Sequence, residues 1–170
     1  MAAVEHRFDV PDRFIAGTVG EPGSRTFFLQ ARTGSRLTSV ALEKQQVSIL
    51  ADRLESLVAR IPSEEVSPVE DGGPLDLPIE EEFRVGTMTL AWDGESERVV
   101  VEAFPAGVED TDDADEVLVV QLSLSQALGF VERARTVVSA GRPSCQFCGG
   151  PIDPDGHLCP RANGFRRSAG

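Results

Sequence analysis

Val47-Ser48-Ile49-Leu50-Ala51-Asp52-Arg53-Leu54-Glu55-Ser56-Leu57-Val58 and Ala127-Leu128-Gly129-Phe130-Val131-Glu132-Arg133-Ala134-Arg135-Thr136-Val137-Val138 decide how this chain is read. In both stretches apolar residues recur at i, i+3, i+4 and i+7, the spacing that lines one face of an α-helix. Val47, Leu50, Ala51, Leu54, Leu57 and Val58 fall at the same steps as Ala127, Phe130, Val131, Ala134, Val137 and Val138. Asp52-Arg53 also matches Glu132-Arg133. The spacing predicts two amphipathic helices whose apolar stripes share one register.

Upstream of each helix the agreement continues in strand-like segments. Phe14-Ile15-Ala16-Gly17-Thr18 is echoed by Phe83-Arg84-Val85-Gly86-Thr87, and Arg25-Thr26-Phe27-Phe28-Leu29 by Arg98-Val99-Val100-Val101-Glu102. Val40-Ala41-Leu42 matches Val120-Gln121-Leu122, and Gln46 matches Gln126. Self-similarity of strand, helix and polar positions together points to an internal duplication. The expected fold is α+β: two β-β-β-α repeats forming an antiparallel sheet core of about six strands with two amphipathic helices. Neither half could bury both faces of its own sheet, so the halves must share one core.

Repeat one is placed at about residues 8–61 and repeat two at about 81–141, together a duplicated domain over 1–141. Residues 62–80 hold four prolines, the pair Gly72-Gly73 and several acids, and read as a linker. Ser123-Leu124-Ser125-Gln126 predicts a capping box at the start of the second helix. Asp93-Gly94 predicts a hairpin turn. Gly129 is a weak point inside that helix, one that close backbone packing would explain.

Length and charge narrow the function. The chain has 170 residues, enough for one domain and a small appendage, and no apolar run of membrane-spanning length. Sixteen Lys and Arg against twenty-eight Asp and Glu leave a net charge of −12, which repels phosphate backbones. Any nucleic-acid contact would have to come from Arg161, Arg166 and Arg167 near the C-terminus. The absence of a hydrophobic secretory segment leads us to expect a cytoplasmic, reducing location. The acidic run Glu109–Glu116 lacks the glycine and alternation of a calcium loop, and reads as a solvated loop.

Residues 142–170 form an expected zinc-knuckle tail. All three cysteines of the chain lie there with one histidine, as Cys145-x-x-Cys148 and His157-x-Cys159. Four sulfur and imidazole ligands suit a tetrahedral structural Zn2+. An odd cysteine count does not fit a closed disulfide framework. A redox or incidental thiol cluster is the competing reading, and the one-residue gap between His157 and Cys159 is tight for two ligands. His6, the remaining histidine, reads as a solvated N-terminal side chain.

Catalytic motifs are scarce. Phosphate-binding glycine loops are absent, and no Ser-His-Asp or Cys-His set can be assembled once His157 is assigned to the metal. Glu80-Glu81-Glu82 is the densest carboxylate group and reads as a solvated start of a strand. No residue is assigned a catalytic role.

The tail from Cys145 to Arg167 and the segment Phe8-Asp9-Val10-Pro11-Asp12-Arg13-Phe14-Ile15-Ala16-Gly17-Thr18 resemble an actinobacterial family of conserved proteins of unknown function. That family is labelled a repeat protein. The chain is also similar to ParJ-type proteins, which interact with the chromosome-partition ATPase ParA and restrain its polymerisation. The resemblance implies a regulator with a protein partner, a ParA-type ATPase, and presumed metal ligands at Cys145, Cys148, His157 and Cys159. Three functions stand open at this point: a zinc-binding adaptor, an RNA-associated accessory factor using the arginine-rich tail, and a small enzyme with a site between the repeats.

Overall fold

Both stripes form helices, α1 (Lys44–Ala59) and α2 (Leu124–Ala140), and both turn their predicted faces inward. The computed structural model describes residues 4–21, 24–62, 66–108 and 114–140. Seven strands accompany the helices: β1 (Val4–Asp9), β2 (Arg13–Val19), β3 (Thr26–Thr33), β4 (Arg36–Leu42), β5 (Glu81–Asp93), β6 (Arg98–Pro105) and β7 (Glu116–Leu122). They build one sheet in the order β1-β7-β6-β5-β4-β3-β2. The elements β2-β3-β4-α1 and β5-β6-β7-α2 follow the same order along the chain.

Two features depart from the antiparallel expectation. β1 is a seventh strand, and it runs parallel to β7, with Val4 opposite Glu116 and Phe8 opposite Val120. β4 and β5 are also parallel, through Ser39–Glu81 and Ala41–Arg84. Hairpins announce themselves by local turn residues, whereas parallel partners this far apart in sequence carry no local signal. β5 is long because it serves two ladders in turn. Its first residues pair with β4, and from Val85 to Asp93 it pairs antiparallel with β6.

A flat sheet could not satisfy the helix contacts. α2 packs on β2 at one end of the strand order and on β6 and β7 near the other. Five strand spacings of about 4.8 Å separate β2 from β7 in a flat sheet, roughly 24 Å. The sheet therefore curls around the helices. Only Val10-Pro11-Asp12 joins β1 to β2, the two ends of the strand order, so the curl also brings the edges together. Val10 takes a left-handed φ of 51° there and donates its N–H to the Gln121 carbonyl at 2.7 Å.

The concave face holds the main core. Leu29, Val40, Leu42, Val99, Val101, Val120 and Leu122 meet Val47, Leu50, Leu54, Ala127, Phe130 and Ala134. Phe14 stacks on Phe130 with ring centroids 4.8 Å apart. The capping box forms as expected: Gln126 N–H donates to Ser123 Oγ, and Ser123 N–H donates to Gln126 Oε1, both at 3.1 Å. The predicted hairpin joins β5 to β6, with Asp93 opposite Arg98.

Residues 66–80 are not a free linker. The segment straps the β2 edge, passing from α2 to the convex face. Val69 N–H donates to the Ser125 carbonyl at 3.0 Å, and a Cβ on Gly129 would fall on the Val69 carbonyl. This is the close approach that a glycine inside α2 permits. Further on, Leu75 lies over Gly17 and joins Ile15, Phe28 and Ala41 in a second, smaller core on the convex face. Proline, glycine and acid composition resembles that of a solvated linker, but here those residues fit a path with no regular ladder.

Candidate functional site

Two places gather side chains whose chemistry goes beyond packing: the anchor of the strap and an open groove beside α1.

The anchor is built around Arg13 at the start of β2. Its guanidinium donates to Asp71 Oδ2 at 2.6 Å and Oδ1 at 2.8 Å, and reaches Asp76 at 3.1 Å. Arg32 meets the other Asp76 oxygen at 3.3 Å. From α2, Arg133 donates to the Ala16 carbonyl at 3.0 Å and to the carbonyls of Asp71, at 2.9 Å, and Gly73. Gln30, almost fully buried, donates to the Asp76 carbonyl at 3.0 Å and accepts the Asp76 N–H at 2.7 Å. Its amide also donates to Ser39 Oγ. Hydrogen bonds from Arg13 hold the Asp71 carboxyl below the usual carboxylate range, against the opposing effect of burial. Burial lowers the Arg133 pKa, with Asp71 counteracting it. Most of these donors point at the strap, although Arg32 Nε is buried without a hydrogen-bond partner among the described residues, so the cluster is a clamp.

The groove lies between α1 and β5, with a volume of about 1040 Å3. Its floor is Ile49, Leu50, Leu57, Met88 and Leu90, and its polar lining is Gln46, Arg53, Ser56, Thr89 and Arg60. Ile49 is 50% exposed. Gln46 closes one end by donating to the carbonyls of Val85 and Gly86 at 3.1 and 3.2 Å. β4 meets β5 only at Glu81 and Arg84, so among the described residues no strand pairs with the α1-side edge of Thr87–Asp93. Amide, hydroxyl and guanidinium groups over an aliphatic floor can hold an extended peptide. They do not provide a nucleophile with its base.

His6 is not a free N-terminal side chain. Its Nε2 lies 3.0 Å from Glu116 Oε1, and the side chain is only 20% exposed. Glu82 completes a group whose potential ligand atoms lie within 4.8 Å of one another. The parallel β1–β7 pairing, illegible in the sequence, brings His6 and Glu116 together.

The expected zinc ligands Cys145, Cys148, His157 and Cys159, and the arginines Arg161, Arg166 and Arg167, lie outside the described residues. No described helix is long and apolar enough to cross a membrane. The anchor residues escaped the sequence reading because Arg13 and Asp71 stand 58 positions apart. The nearest signal was the match of Arg53 with Arg133.

No curated protein and no solved structure matches the chain. A family model described as a protein of unknown function (DUF3090) matches residues 6–159. That span takes in the curled sheet, the strap, both helices and the four Cys and His positions of the tail. The chain therefore belongs to the DUF3090 family of proteins of unknown function.

Proposed function

We propose that this protein is a zinc-binding adaptor or regulator that acts through protein contacts, with a ParA-type ATPase as its partner. The observation that carries the reading is where the fold commits its charged groups. Arg13, Arg133, Asp71 and Asp76, the tightest charged cluster described, hold a strap. The Cys145, Cys148, His157 and Cys159 spacing supplies the metal half of the proposal, as a structural Zn2+ site. Affinity purification of the full chain from its native host, with elemental analysis of the purified protein, tests both halves. One zinc per chain and reproducible recovery of the ATPase are expected. Recovery of RNA alone, or a metal-free reduced protein, would overturn it.

An internal duplication is part of the same reading, and the ladder registers support it with a corrected alignment. Taking Val40 with Val120 and Leu42 with Leu122 makes Leu29 the counterpart of Val101, since each is their partner across the ladder. Ala16 then corresponds to Leu90 and Phe14 to Met88. Phe83 corresponds instead to Phe8, because each lies on a strand that adds in parallel next to this ladder. On this alignment β5 is one strand doing the work of β1 and β2. The direct match of Phe14 with Phe83 is displaced by five residues.

A further inference from the structure

An unpaired strand edge invites another strand, and proteins blunt such edges with charge, proline or a covering segment. β1, at one end of the strand order, carries Glu5, Arg7 and Asp9. β2, at the other end, lies under the strap, and Arg133 ties the two together through the Ala16 carbonyl and the strap carbonyls of Asp71 and Gly73. The part of β5 beyond β4 has neither device. Thr87-Met88-Thr89-Leu90-Ala91-Trp92 contains no charged residue and no proline, and among the described residues no strand pairs with its α1 side.

The helix facing that edge sorts its charges. Asp52 and Glu55 of α1 face α2, where Arg135 donates to them at 3.1 and 2.8 Å. Arg53 and Arg60 line the groove instead, and no Asp or Glu joins them there, although the chain carries twenty-eight acids. Arg53 has no hydrogen-bond or ion-pair partner among the described residues. Every other described arginine donates to a carboxylate or a carbonyl. The groove is a basic slot in an acidic molecule. Its dimensions suit a strand, since Thr87–Asp93 extends for about 24 Å. Arg53 and Arg60 stand about 10.5 Å apart along α1. That falls between the roughly 7 and 14 Å separating same-face strand residues two and four positions apart.

We propose that the groove between α1 and β5 binds an extended acidic peptide of a partner protein, which adds as a strand to Thr87–Asp93. Main-chain hydrogen bonds to the β5 edge supply affinity, and alternate side chains supply specificity. Apolar side chains of the peptide cover Ile49, Met88 and Leu90, and its carboxylates, two or four residues apart, reach Arg53 and Arg60. A second copy pairing through the same edge is a poorer occupant, because that edge offers no carboxylate before Asp93 and leaves Arg53 unanswered. The proposal stands on the strand edge and the charge sorting, and needs neither the zinc, the ATPase nor the duplication.

Selection from a random heptapeptide phage library on the full chain tests it, with Arg53→Glu as the counter-target. Enriched sequences should alternate apolar residues with two or more carboxylates, and the synthetic peptides should bind wild type at least about tenfold more tightly than Arg53→Glu. Binding should weaken as salt rises. In hydrogen–deuterium exchange, the bound peptide should slow by about tenfold those amides of 87–93 that do not donate to β6. Strap amides at 69–76 should exchange alike in both proteins, which verifies that the variant is folded. No enrichment, enrichment of basic or purely apolar sequences, or equal binding to Arg53→Glu overturns the proposal. Protection of those amides before any peptide is added overturns it too. If that protection falls away on dilution the occupant is a second copy, and if it does not the chain fills its own groove. Zinc content and ATPase recovery are read in separate experiments, so failure of the adaptor reading would not be mistaken for failure of this one.

Discussion

Asp71→Asn should release the strap without unfolding the sheet. The carboxylate accepts two charge-assisted hydrogen bonds from Arg13, at 2.6 and 2.8 Å, and one from the Gly73 N–H at 3.1 Å. Asparagine keeps the shape but turns an N–H2 toward a guanidinium that has only donors. A hydrogen bond to a charged group contributes about 1.5–3 kcal/mol, and losing one leaves the Arg13 side chain, 13% exposed, partly uncompensated. Two effects reduce the loss. Asp71 is a quarter exposed, so solvent screens part of the interaction, and Arg13 keeps Asp76 at 3.1 Å. We therefore expect a loss of about 2 kcal/mol, equivalent to roughly 4–8 °C in Tm for a domain of this size. Urea unfolding with an unchanged slope measures it, and exchange at Val69 and Asp76 should rise first. A cycle with Arg13→Met should show a coupling of about 1 kcal/mol or more. A loss below about 0.5 kcal/mol with strap exchange unchanged would refute the clamp.

The same clamp makes stability depend on pH. Because the folded Asp71 pKa is depressed, its contribution is complete above the ordinary carboxylate pKa of about 4 and is lost as pH falls through the folded value. Wild-type urea midpoints should thus fall more steeply below pH 4 than those of Asp71→Asn. Gly129→Ala should cost about 1–3 kcal/mol by pushing out the Val69 carbonyl, despite the better helix propensity of alanine. A stabilised Gly129→Ala variant in urea titration would show that the strap does not sit there. Leu54→Ala, at a fully buried site between α1 and the sheet, should cost about 2–5 kcal/mol by the same assay.

Some of the fold was legible because its signals are local. The stripes of α1 and α2, the Ser123–Gln126 capping box and the Asp93 hairpin each lie within about a dozen consecutive residues, and the structure places each at the residues expected. What failed was non-local. The strand matches were made by residue likeness, and Gly86-Thr87 resembles Gly17-Thr18. On the alignment proposed above, which follows cross-ladder partners, Ala16 corresponds to Leu90. The strap was hidden by its composition, since a segment anchored by Gln30 and Arg13 has no hydrophobic period of its own. Of the groove, Gln46 and Arg53 stand out in the sequence as matched polar positions, but the edge of β5 that no described strand pairs depends on where β4 stops pairing. The cysteine cluster was the clearest chemical signal in the sequence, and it lies outside the described residues.

The pairing of β1 with β7, the first and last of the described strands, has a consequence for biosynthesis. β1 finds its described strand partner only in β7, across more than a hundred residues, as the Val4–Glu116 match shows. While the polypeptide is still being made, Phe8 and its neighbours have nothing to zip onto until residue 122 has cleared the ribosomal tunnel. At about 5–20 residues per second, that leaves β1 unsheltered for roughly 6–23 s after it emerges from the tunnel, a window in which chaperones or aggregation compete for it.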